Sequence, residues 1–439
     1  MTQIPLLEDE TLLDRLQHAA FDYFLHTVNP DNGLVADTSR DDSPVSIAVV
    51  GFALSAYTVA VERGWMKRAA AIQRCLAALR FFRDSDQSGS STATGFKGFY
   101  YHFLDIRTGA RVWRSELSMV DTALLIAGAL TASSYFVADS RDEIELRELV
   151  EFLYRRIDWR WAQDDADTIR QGWKPECGFL HYGWEGYSEA ILLYALALAS
   201  PTYPIARDCY KAWTATYQWE NLYGYEFLYA GPLFTHQFSH AWIDFRGIRD
   251  RFMREKRSDY FENSRRAVYI QREYAMRNPH EFAGYDENCW GLTACDGPSD
   301  ERPDMSNETR HLFGYAARGV PYGPDDGTVS APSVLASLPF APELVLPAVR
   351  NLIARYPETF SEECFASGFN PTLVDKNGRA WVSAGHYGLD QGIVLMMIEN
   401  HRSQLIWRLM RACPYIRNGL HRAGFRGGWM RRSTRDGAR

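Results

Sequence analysis

The sequence predicts an all-α fold in which buried inner helices are covered by amphipathic outer helices. Three segments are apolar on nearly every side: 45–65, 118–136 and 188–199. Such segments are typical of helices surrounded by protein. An amphipathic segment follows each of them: 67–83, 142–156 and 206–216. This alternation indicates two concentric helical layers.

The stretch 182–205, YGWEGYSEAILLYALALASPTYPI, is the most informative of the three. Its apolar run 190–199 stops at Ser200-Pro201, because proline cannot continue a helix. The start of this buried helix follows a cluster of aromatic and acidic side chains. The free N–H groups there favour negative charge, so the helix start is a candidate pocket.

The other elements follow from helical spacing and turn residues. An amphipathic helix is expected at 11–28, and further helices at 254–277, 329–338, 341–355, 389–399 and 403–412. The aromatic segment 96–103 has β character and predicts a hairpin with 111–114. Two long loops, 278–324 and 357–387, separate the later helices, and loops of this length are usually functional.

Length, composition and net charge limit which class of protein this chain can be. The chain has 439 residues, of which 46% are hydrophobic and 23% charged, with no low-complexity linker, so a single domain over 1–439 is expected. The net charge of −7 argues against a nucleic-acid partner. An arginine-rich stretch from about residue 426 is expected to be a solvated tail, with a nucleic-acid or membrane patch as the alternative.

Nothing in the sequence indicates export or membrane insertion. The seven cysteines are scattered and form no CxxC pair, which argues against a disulfide framework. The N-terminal MTQIPLLEDE has no signal-peptide pattern, and no stretch is apolar enough to span a bilayer. A cytoplasmic location without a membrane partner is therefore expected, and the oligomeric state is left open.

Two acids stand at the start of the second apolar helix, in RSELSMVD. Ser118 followed by Asp121 is a capping-box pattern. In one interpretation, helix capping is the only role of Asp121. In the other interpretation, Glu116 and Asp121 flank the mouth of an inner helix and face a pocket.

Trp184, Glu185 and Glu189 precede the third apolar helix. Acids in a first turn can merely offset the helix dipole. Glu189, however, leads directly into the buried run, where removal from water should raise its pKa. A raised pKa is what a general acid needs.

Two further segments combine acids, amides and aromatic rings. Glu287, Asn288 and Trp290 lie in the glycine-flanked stretch 284–298, where a ring beside polar arms suits sugar binding. A tight structural loop is the competing interpretation. Asp390 lies at the start of a later helix, between Tyr387 and Gln391. It is either an N-cap or first-turn acid of that helix or the partner carboxylate of Glu189.

Other chemistries find little support. His236 and His240 have a zinc-compatible spacing, but Gln237 stands where a zinc protease has its glutamate and no third ligand is evident. There is no GxSxG, P-loop or dinucleotide fingerprint. No metal and no cofactor are expected.

Five segments resemble the signature segments of the glucoamylase-like bacterial glycoside hydrolases, which include the endo-β-1,2-glucanases of glycoside hydrolase family 144 and the related domains of cyclic β-1,2-glucan synthases. They are the 182–205 stretch, SELSMVDTALLIAGAL, AGPLFTHQFSHAWIDFRG, GYDENCWGLTACDGP and LDQGIVLMMIENHRS. The resemblance runs from about Leu12 to Phe425. It implies an (α/α)6 toroid with a carbohydrate cleft, and a minor β-hairpin is expected at the cleft end.

The resemblance also implies site residues. The family's glutamate falls on Glu189, its Asp-Gln-Gly aspartate on Asp390, and an earlier acid on Asp121. Glucanase-type members carry further acids where this chain has Arg114 and Ser118, with Glu116 nearby. This departure affects the expected proton route and linkage specificity.

The resulting hypothesis is a glycoside hydrolase acting on β-1,2-glucan or its oligosaccharides. Glu189 would protonate the leaving oxygen, and Asp390 would activate water or relay a proton. Subsites are expected to be lined by Trp184, Trp290, Tyr387, His240 and Arg246. The alternatives are a transglycosylase on the same scaffold and a non-catalytic glycan-binding protein.

Overall fold

The computed structural model describes residues 8–299, 311–361 and 364–431, and it is mainly helical, with 47% helix and 14% strand. The helices are α1 (Asp9–His26), α2 (Ile47–Glu62), α3 (Arg68–Asp84), α4 (Met119–Tyr135), α5 (Arg141–Arg156), α6 (Ile191–Ala199), α7 (Arg207–Thr214), α8 (Phe238–Trp242), α9 (Arg251–Glu255), α10 (Tyr260–Arg277), α11 (Ala331–Ala336), α12 (Pro342–Arg355), α13 (Gly388–Arg402), α14 (Leu405–Ala412) and α15 (Pro414–Arg422).

The strands are short. They are β1 (Val45–Ser46), β2 (Gly95–Phe96), β3 (Phe99–Tyr101), β4 (Phe103–Leu104), β5 (Leu117–Ser118), β6 (Gly172–Lys174), β7 (Gly178–Phe179), β8 (Trp219–Leu222), β9 (Tyr225–Leu228), β10 (Ile248–Arg249), β11 (Ala294–Cys295), β12 (Ala316–Ala317), β13 (Phe360–Ser361), β14 (Cys364–Phe365), β15 (Phe369–Val374), β16 (Ala380–Val382) and β17 (Arg426–Gly427). Five of them form one antiparallel sheet in the order β2-β3-β5-β6-β7, and the others pair two by two.

The predicted alternation of buried and amphipathic helices is confirmed. Every residue of α6 is buried, and so is nearly all of α2 and α4. The following helices α3, α5 and α7 bury one face and expose the other. Apolar side chains on all sides leave the first group no face that favours water.

The buried helices contact one another in sequence. Helix α2 packs against α4, α4 against α6, and α6 against α8, while α13 packs against α2, α8 and α11. The side chain of Gln237 joins α8 to α11 by donating to the Ser333 carbonyl and the Ser337 hydroxyl. The core therefore lies among α2, α4, α6, α8, α11 and α13.

Two helical predictions need correction. The single helix expected over 254–277 is broken, because Arg257 adopts a φ of +54° and separates α9 from α10. Each part has its own N-cap, with Asp250 accepting from the N–H of Met253 and Asp259 from that of Glu262. The short helices α8 and α15 lie in segments where no helix was predicted.

The aromatic segment pairs differently from the prediction. Strand β3 lies between β2 and β5, with Tyr100 opposite Ser118. The expected contact with 111–114 is reduced to one bridge between Leu104 and Arg111. The two long loops also contain short strands, β11–β12 in the first and β13–β16 in the second.

The starts of the buried helices are tied together at one end. The N–H of Gly388, at the start of α13, donates to the Asp37 carbonyl at 2.8 Å, and Ser39 donates to the His386 carbonyl at 2.9 Å. Strand β1 leads into α2, and β5 leads into α4. These links bring the charged loops before α2, α4 and α13 to the same end of the molecule.

The beginning of the predicted C-terminal tail is folded. Strand β17 pairs with β10, and the Trp429 indole donates to the Asp244 carbonyl at 2.7 Å. Arg426 and Arg431 are exposed, and the tail beyond residue 431 lies outside the described residues. Within residues 8–299, 311–361 and 364–431, no helix is both long and apolar enough to cross a membrane.

The contact between α2 and α4 yields a stability prediction. A Cβ added to Gly128 would lie 1.9 Å from the carbonyl oxygen of Gly51, so the two backbones could not remain at their present separation. Alanine is intrinsically favoured over glycine in a helix by about 1 kcal/mol. We nevertheless expect Gly128→Ala to lower the free energy of unfolding by about 1–3 kcal/mol through overpacking.

Chemical denaturation of the purified variant measures this change. Ala70→Ser is the control, since Ala70 lies on the exposed face of α3 and its replacement should change stability by no more than about 0.5 kcal/mol. A Gly128→Ala protein that is more stable than the wild type would contradict the close backbone contact.

Candidate active site

Glu189 lies directly before α6, and its position is fixed by α8. The Ser239 hydroxyl donates to the Glu189 carbonyl at 2.5 Å and accepts from the N–H of Leu192 at 3.1 Å. Ser239 therefore satisfies polar groups at the start of a helix that is otherwise apolar. The Glu189 residue itself is only partly exposed.

The surroundings of Glu189 favour its protonated form. Burial raises the pKa of its carboxyl from 4.5 to about 7, and the charge of Asp121 adds to the increase. A hydrogen bond from its own backbone N–H opposes this shift but does not cancel it. Glu189 can therefore keep a proton near neutral pH.

Asp121 occupies the first turn of α4, and Ser118 is its N-cap, although the Asp121 carboxylate accepts from the Ser118 hydroxyl rather than from the backbone N–H that a capping box uses. The Ser118 hydroxyl accepts from the N–H of Asp121 at 3.2 Å and donates to its Oδ2 at 2.5 Å. The carboxylate is nearly buried, and it also faces an imidazole ring. Capping is thus not the only interaction that Asp121 makes.

That imidazole belongs to His102, which lies between two carboxylates. Its Nδ1 is 2.9 Å from Oε1 of Glu116, and its Nε2 is 3.6 Å from Oδ2 of Asp121. Burial alone would lower the pKa of His102, but Asp121, Glu116 and Asp37 together raise it to about 9. The charged ring in turn holds the pKa of Glu116 below its ordinary value, against the effect of burial.

Asp37 and Asp390 extend this cluster to α13. Burial raises the pKa of Asp37 to about 6, with Asp121 contributing, while His102 and Arg40 oppose the increase. Burial also raises the pKa of Asp390 to about 7, and the charges of Asp37 and Asp296 add to it. Oδ2 of Asp390 is buried without a hydrogen-bond partner.

Polar and aromatic side chains surround the Asp390 side of the cluster. The Arg40 guanidinium pairs with Asp296 at 2.5 Å and lies 5.4 Å from the centre of the Tyr387 ring. Asp296 also accepts from the Ser383 hydroxyl at 2.7 Å. The rings of Tyr315 and Tyr387 are stacked with centres 6.1 Å apart. We call the carboxylates and His102 together the acid cluster: Asp37, His102, Glu116, Asp121, Glu189, Asp296 and Asp390.

The acid cluster holds groups suited to proton transfer. Two carboxyl groups, Glu189 before α6 and Asp390 in the first turn of α13, have pKa values raised to about 7, so each can gain or lose a proton near neutral pH. Their neighbours differ, since Glu189 is next to Asp121, whereas Asp390 faces Asp37 and Asp296. Such paired acids suit a reaction that needs one proton donor and one base.

The structure brings only some of the sequence-predicted residues into this cluster. Glu116, Asp121, Glu189, Asp390 and Tyr387 lie in it or against it. Trp184 and Glu185 lie in the segment before Glu189. There Trp184 is partly buried and Glu185 is exposed.

The predictions for His240 and Arg246 are wrong. His240 is buried in the core among Phe245, Phe261 and Phe340, and its Nε2 is 3.0 Å from the Ser264 hydroxyl. Arg246 binds Asp244 and Gln404. Gln404 follows the C-terminus of α13, which lies about 20 Å along the helix axis from Asp390.

Three predicted residues of the stretch 284–298 make structural contacts, although Asp296 of the same stretch belongs to the acid cluster. Trp290 is fully buried, so its ring face is covered by protein. Glu287 is exposed and pairs with Arg272 on α10, while the Asn288 carbonyl accepts from Asn351 on α12. The competing interpretation, a tight structural loop, is the correct one for these three residues.

Gln391 faces protein rather than the acid cluster. It is buried, and its side-chain amide donates to the Phe365 carbonyl at 3.4 Å. One turn of helix thus directs Asp390 toward the cluster and the adjacent Gln391 into the core. The expected contact of Gln391 with substrate is not supported.

Sequence analysis missed Asp37, Arg40, His102 and Tyr315. Their loops carry a weak signal: the stretch 29–44 is rich in acids and turn residues and precedes a buried helix, and His102 follows a run of aromatic residues. The spacing within these loops has no periodicity, so it does not show which side chains meet.

The histidine pair at 236 and 240 is not arranged for a metal ion. Burial lowers the pKa of His236 to about 4 and that of His240 to about 3, and each is hydrogen-bonded within the core. Within the three ranges that the structure describes, no group of three His, Cys, Asp or Glu side chains is placed to hold a metal.

The raised pKa of Glu189 predicts a stability change that needs no substrate. In the unfolded chain Glu189 ionises near 4.5, whereas in the folded protein it ionises near 7, so ionisation lowers stability as pH rises between these values. Glu189→Gln removes this effect. We expect it to raise the free energy of unfolding at pH 8 by about 1–3 kcal/mol, a range reduced for partial solvent exposure.

Denaturation curves at pH 8 and pH 4 test this expectation. At pH 4 the carboxyl is protonated in both states, so the gain should disappear. Glu226→Gln, at an exposed position in β9, is the matched control and should change little at either pH. Equal stability of Glu189→Gln and wild type at pH 8 would refute the raised pKa.

Comparisons with known proteins are consistent with this architecture. The chain is 28% identical over 453 residues to a protein of Parabacteroides distasonis named exo beta-1,2-glucooligosaccharide sophorohydrolase (non-reducing end). The match covers 95% of this chain, and the chain spans only 58% of the length of that relative.

Two solved structures are similar over almost the whole chain. One, from Bacteroides uniformis and described as a "putative glucoamylase", is 30% identical with a TM-score of 0.86, covering 98% of this chain and 100% of the other. The second is an endo-beta-1,2-glucanase from Chitinophaga pinensis in complex with sophorotriose and glucose. It is 26% identical with a TM-score of 0.82 and covers 96% of this chain and 100% of the other.

A family model supports the same relationship. The model described as "Putative glucoamylase" matches residues 181–414, which include Glu189, Asp296 and Asp390 of the acid cluster. This match spans more than half of the chain. The chain therefore belongs to the family described as "Putative glucoamylase".

Proposed function

We propose that this protein is a glycoside hydrolase that cleaves β-1,2-linked glucan or oligosaccharides derived from it. The observation that carries the proposal is the pair Glu189 and Asp390. Both lie at the starts of buried helices, in one acid cluster, with pKa values raised to about 7. The proposed linkage is that of two relatives, which are named as enzymes of β-1,2-glucan or its oligosaccharides.

Glu189 is the proposed general acid. Cleavage of a glycosidic bond leaves an alkoxide unless a proton reaches the leaving oxygen, and a carboxylic acid that stays protonated near neutral pH can supply it. Burial of Glu189 favours its protonated form, and the negative charge of Asp121 adds to that effect.

Asp390 is the proposed partner carboxylate. When ionised, it would accept a proton from water or from a substrate hydroxyl that relays it. Its unpaired Oδ2 leaves an acceptor site for that proton. Glu116 and Asp121 are the two further candidate catalytic acids, and Tyr387 with Tyr315 offers ring faces to the sugar.

The arrangement of helices supports the finer description of the fold as an (α/α)6 toroid. In this proposal, α2, α4, α6, α8, α11 and α13 form the inner ring and the amphipathic helices form the outer one. Residues 1–439 would form one domain, and the glucan would bind where the inner helices begin. Nucleic acid and membrane are not among the proposed partners.

Loss of Glu189 should remove the proton donor. We expect Glu189→Gln to lower kcat on β-1,2-gluco-oligosaccharides by about 10²–10⁴-fold, since this is the usual contribution of general acid catalysis. Products from β-1,2-, β-1,3- and α-1,4-glucans, identified by chromatography and NMR, measure the activity and its linkage preference.

Glu226→Gln is the control and should keep wild-type turnover. Wild-type turnover by Glu189→Gln would remove the acid assignment. If the wild type cleaves none of the glucans, the hydrolase proposal is wrong. Products longer than the substrate, formed with free sugar acceptors, would instead identify a transglycosylase, and tight binding without cleavage would identify a glycan-binding protein.

The charge of His102 should influence the pH dependence of the reaction. His102→Gln removes the cation that lowers the pKa values of Asp37 and Glu116, so both of these values should rise. The negative charge of Asp37 raises the pKa of Asp390, so an Asp37 that stays protonated to a higher pH should let Asp390 ionise at a lower pH. Because Asp390 must be ionised to act as a base, we expect the acid limb of the kcat/KM profile to shift downward by about 0.5 pH unit.

The profile is measured between pH 4 and 9 for the wild type, His102→Gln and His18→Gln. His18 lies on the outer helix α1 beside Asp22, so its replacement should leave the profile unchanged. Each limb of the kcat/KM profile reflects the coupled titration of the acid cluster rather than the pKa of a single residue. A profile of His102→Gln that coincides with that of the wild type would contradict the electrostatic role.

A further inference from the structure

Trp113 is the most exposed tryptophan in the part of the chain that the structure describes, and its backbone is unusual. The ring belongs to a residue that is 69% exposed. Trp113 and Arg114 have φ values of +55° and +50°, and the N–H of Ser115 bonds to the carbonyl of Val112 across them. Tight turns with two left-handed residues normally use Gly, Asn or Asp there.

The turn is held by a buried arginine. The Arg111 guanidinium donates to the Ser115 carbonyl at 2.5 Å and to the two carboxylate oxygens of Glu176 at 2.7 and 3.1 Å. It also lies 4.6 Å from the centre of the Tyr101 ring. Glu176 connects β6 and β7, so the turn is fixed to the five-stranded sheet. This rigid support holds a large apolar ring in water.

Two successive ring contacts connect Trp113 with the acid cluster. The Trp113 ring is 5.1 Å from that of Phe103, and Phe103 is stacked on His102 at 4.0 Å with an interplanar angle of 12°. His102 contacts Glu116 and Asp121. Trp113 therefore marks the outer edge of the acid cluster on the α4 side.

Packing does not account for this arrangement. A tryptophan that served the core would be buried, as Trp159, Trp213, Trp242, Trp290 and Trp407 are. An exposed residue that buried neighbours hold in a left-handed backbone conformation points to a binding role. The next residue, Arg114, has a side chain 79% exposed, and its Nε lies 3.9 Å from Oε1 of Glu176. An aromatic face next to polar arms suits the C–H face and hydroxyls of a sugar.

We propose that Trp113 and Arg114 form an outer sugar subsite, which binds a glucosyl unit of the glucan chain beyond the unit next to the cleaved bond. The proposal rests on the proposed function, because it needs a glucan chain in the acid cluster. The subsite binds by stacking on the indole ring, with Arg114 donating to hydroxyl groups. It favours longer oligosaccharides over the shortest substrates.

The test uses full-length Glu189→Gln protein, which binds without turnover, and calorimetric titration with β-1,2-gluco-oligosaccharides of increasing length. Adding Trp113→Ala should weaken binding of long oligosaccharides about tenfold, while Trp113→Phe, which keeps a ring, should weaken it no more than about threefold. The loss should grow with chain length.

Tyr203→Ala is the matched control. Tyr203 is 41% exposed and follows the C-terminal end of α6, opposite Glu189, so its replacement should not change binding. Thermal unfolding of each variant checks that it folds. An affinity of Trp113→Ala equal to that of the background protein at every length overturns the subsite alone, whereas no binding of any β-1,2-glucan by the Glu189→Gln protein overturns the proposed function as well.

Discussion

Removing a carboxyl group from water is unfavourable unless a counter-charge or a hydrogen-bond donor faces it. This constraint shapes the end of the molecule where the buried helices begin. Asp121, Glu189 and Asp390 stand at the starts of buried helices, whereas Asp37 lies in the loop before β1 and α2. Burial raises the pKa of Asp37, Glu189 and Asp390. Helix starts offer unpaired N–H groups, which makes them the places in a helical core where acids are tolerated.

The positive charges in the acid cluster are distributed unevenly among its carboxylates. His102 and Arg40 supply positive charge on the Glu116 and Asp296 sides, respectively. Glu189 has no cationic partner among the causes of its pKa shift, so its neutral form is favoured. The arrangement separates carboxylates that are held ionised, such as Glu116, from a carboxyl that keeps its proton. A uniform distribution of cations would remove that distinction.

The sequence predicted the helical layers well because buried helices are apolar on every side, whereas partly exposed helices are apolar on one face only. A run such as 190–199 has no polar face, so the sequence predicted a buried inner helix there. The prediction of a partly buried Glu189 followed, because Glu189 directly precedes this run. The errors arose where residue type was ambiguous. Trp290 and His240 stand in aromatic, polar segments like those of a site, yet these segments pack into the core. The prediction for Arg246 was wrong because Arg246 contacts the C-terminal end of α13 and not the end that carries Asp390. The order of the segments along the chain does not show which end of α13 Arg246 contacts.

The missed residues depend on tertiary pairing in the same way. His102 became part of the acid cluster because β3 pairs with β5 and β4 with β1, which places the 102–104 segment between the starts of α2 and α4. The separation of these two helices is set in turn by Gly51 and Gly128, which allow their backbones to touch. Strand β1 leads into α2 and β5 leads into α4, so this helix contact also helps to position the segments that carry Asp37, His102 and Asp121. Because interactions between carboxylates and an imidazolium weaken with distance, we expect the packing of α2 on α4 to influence the protonation of the acid cluster.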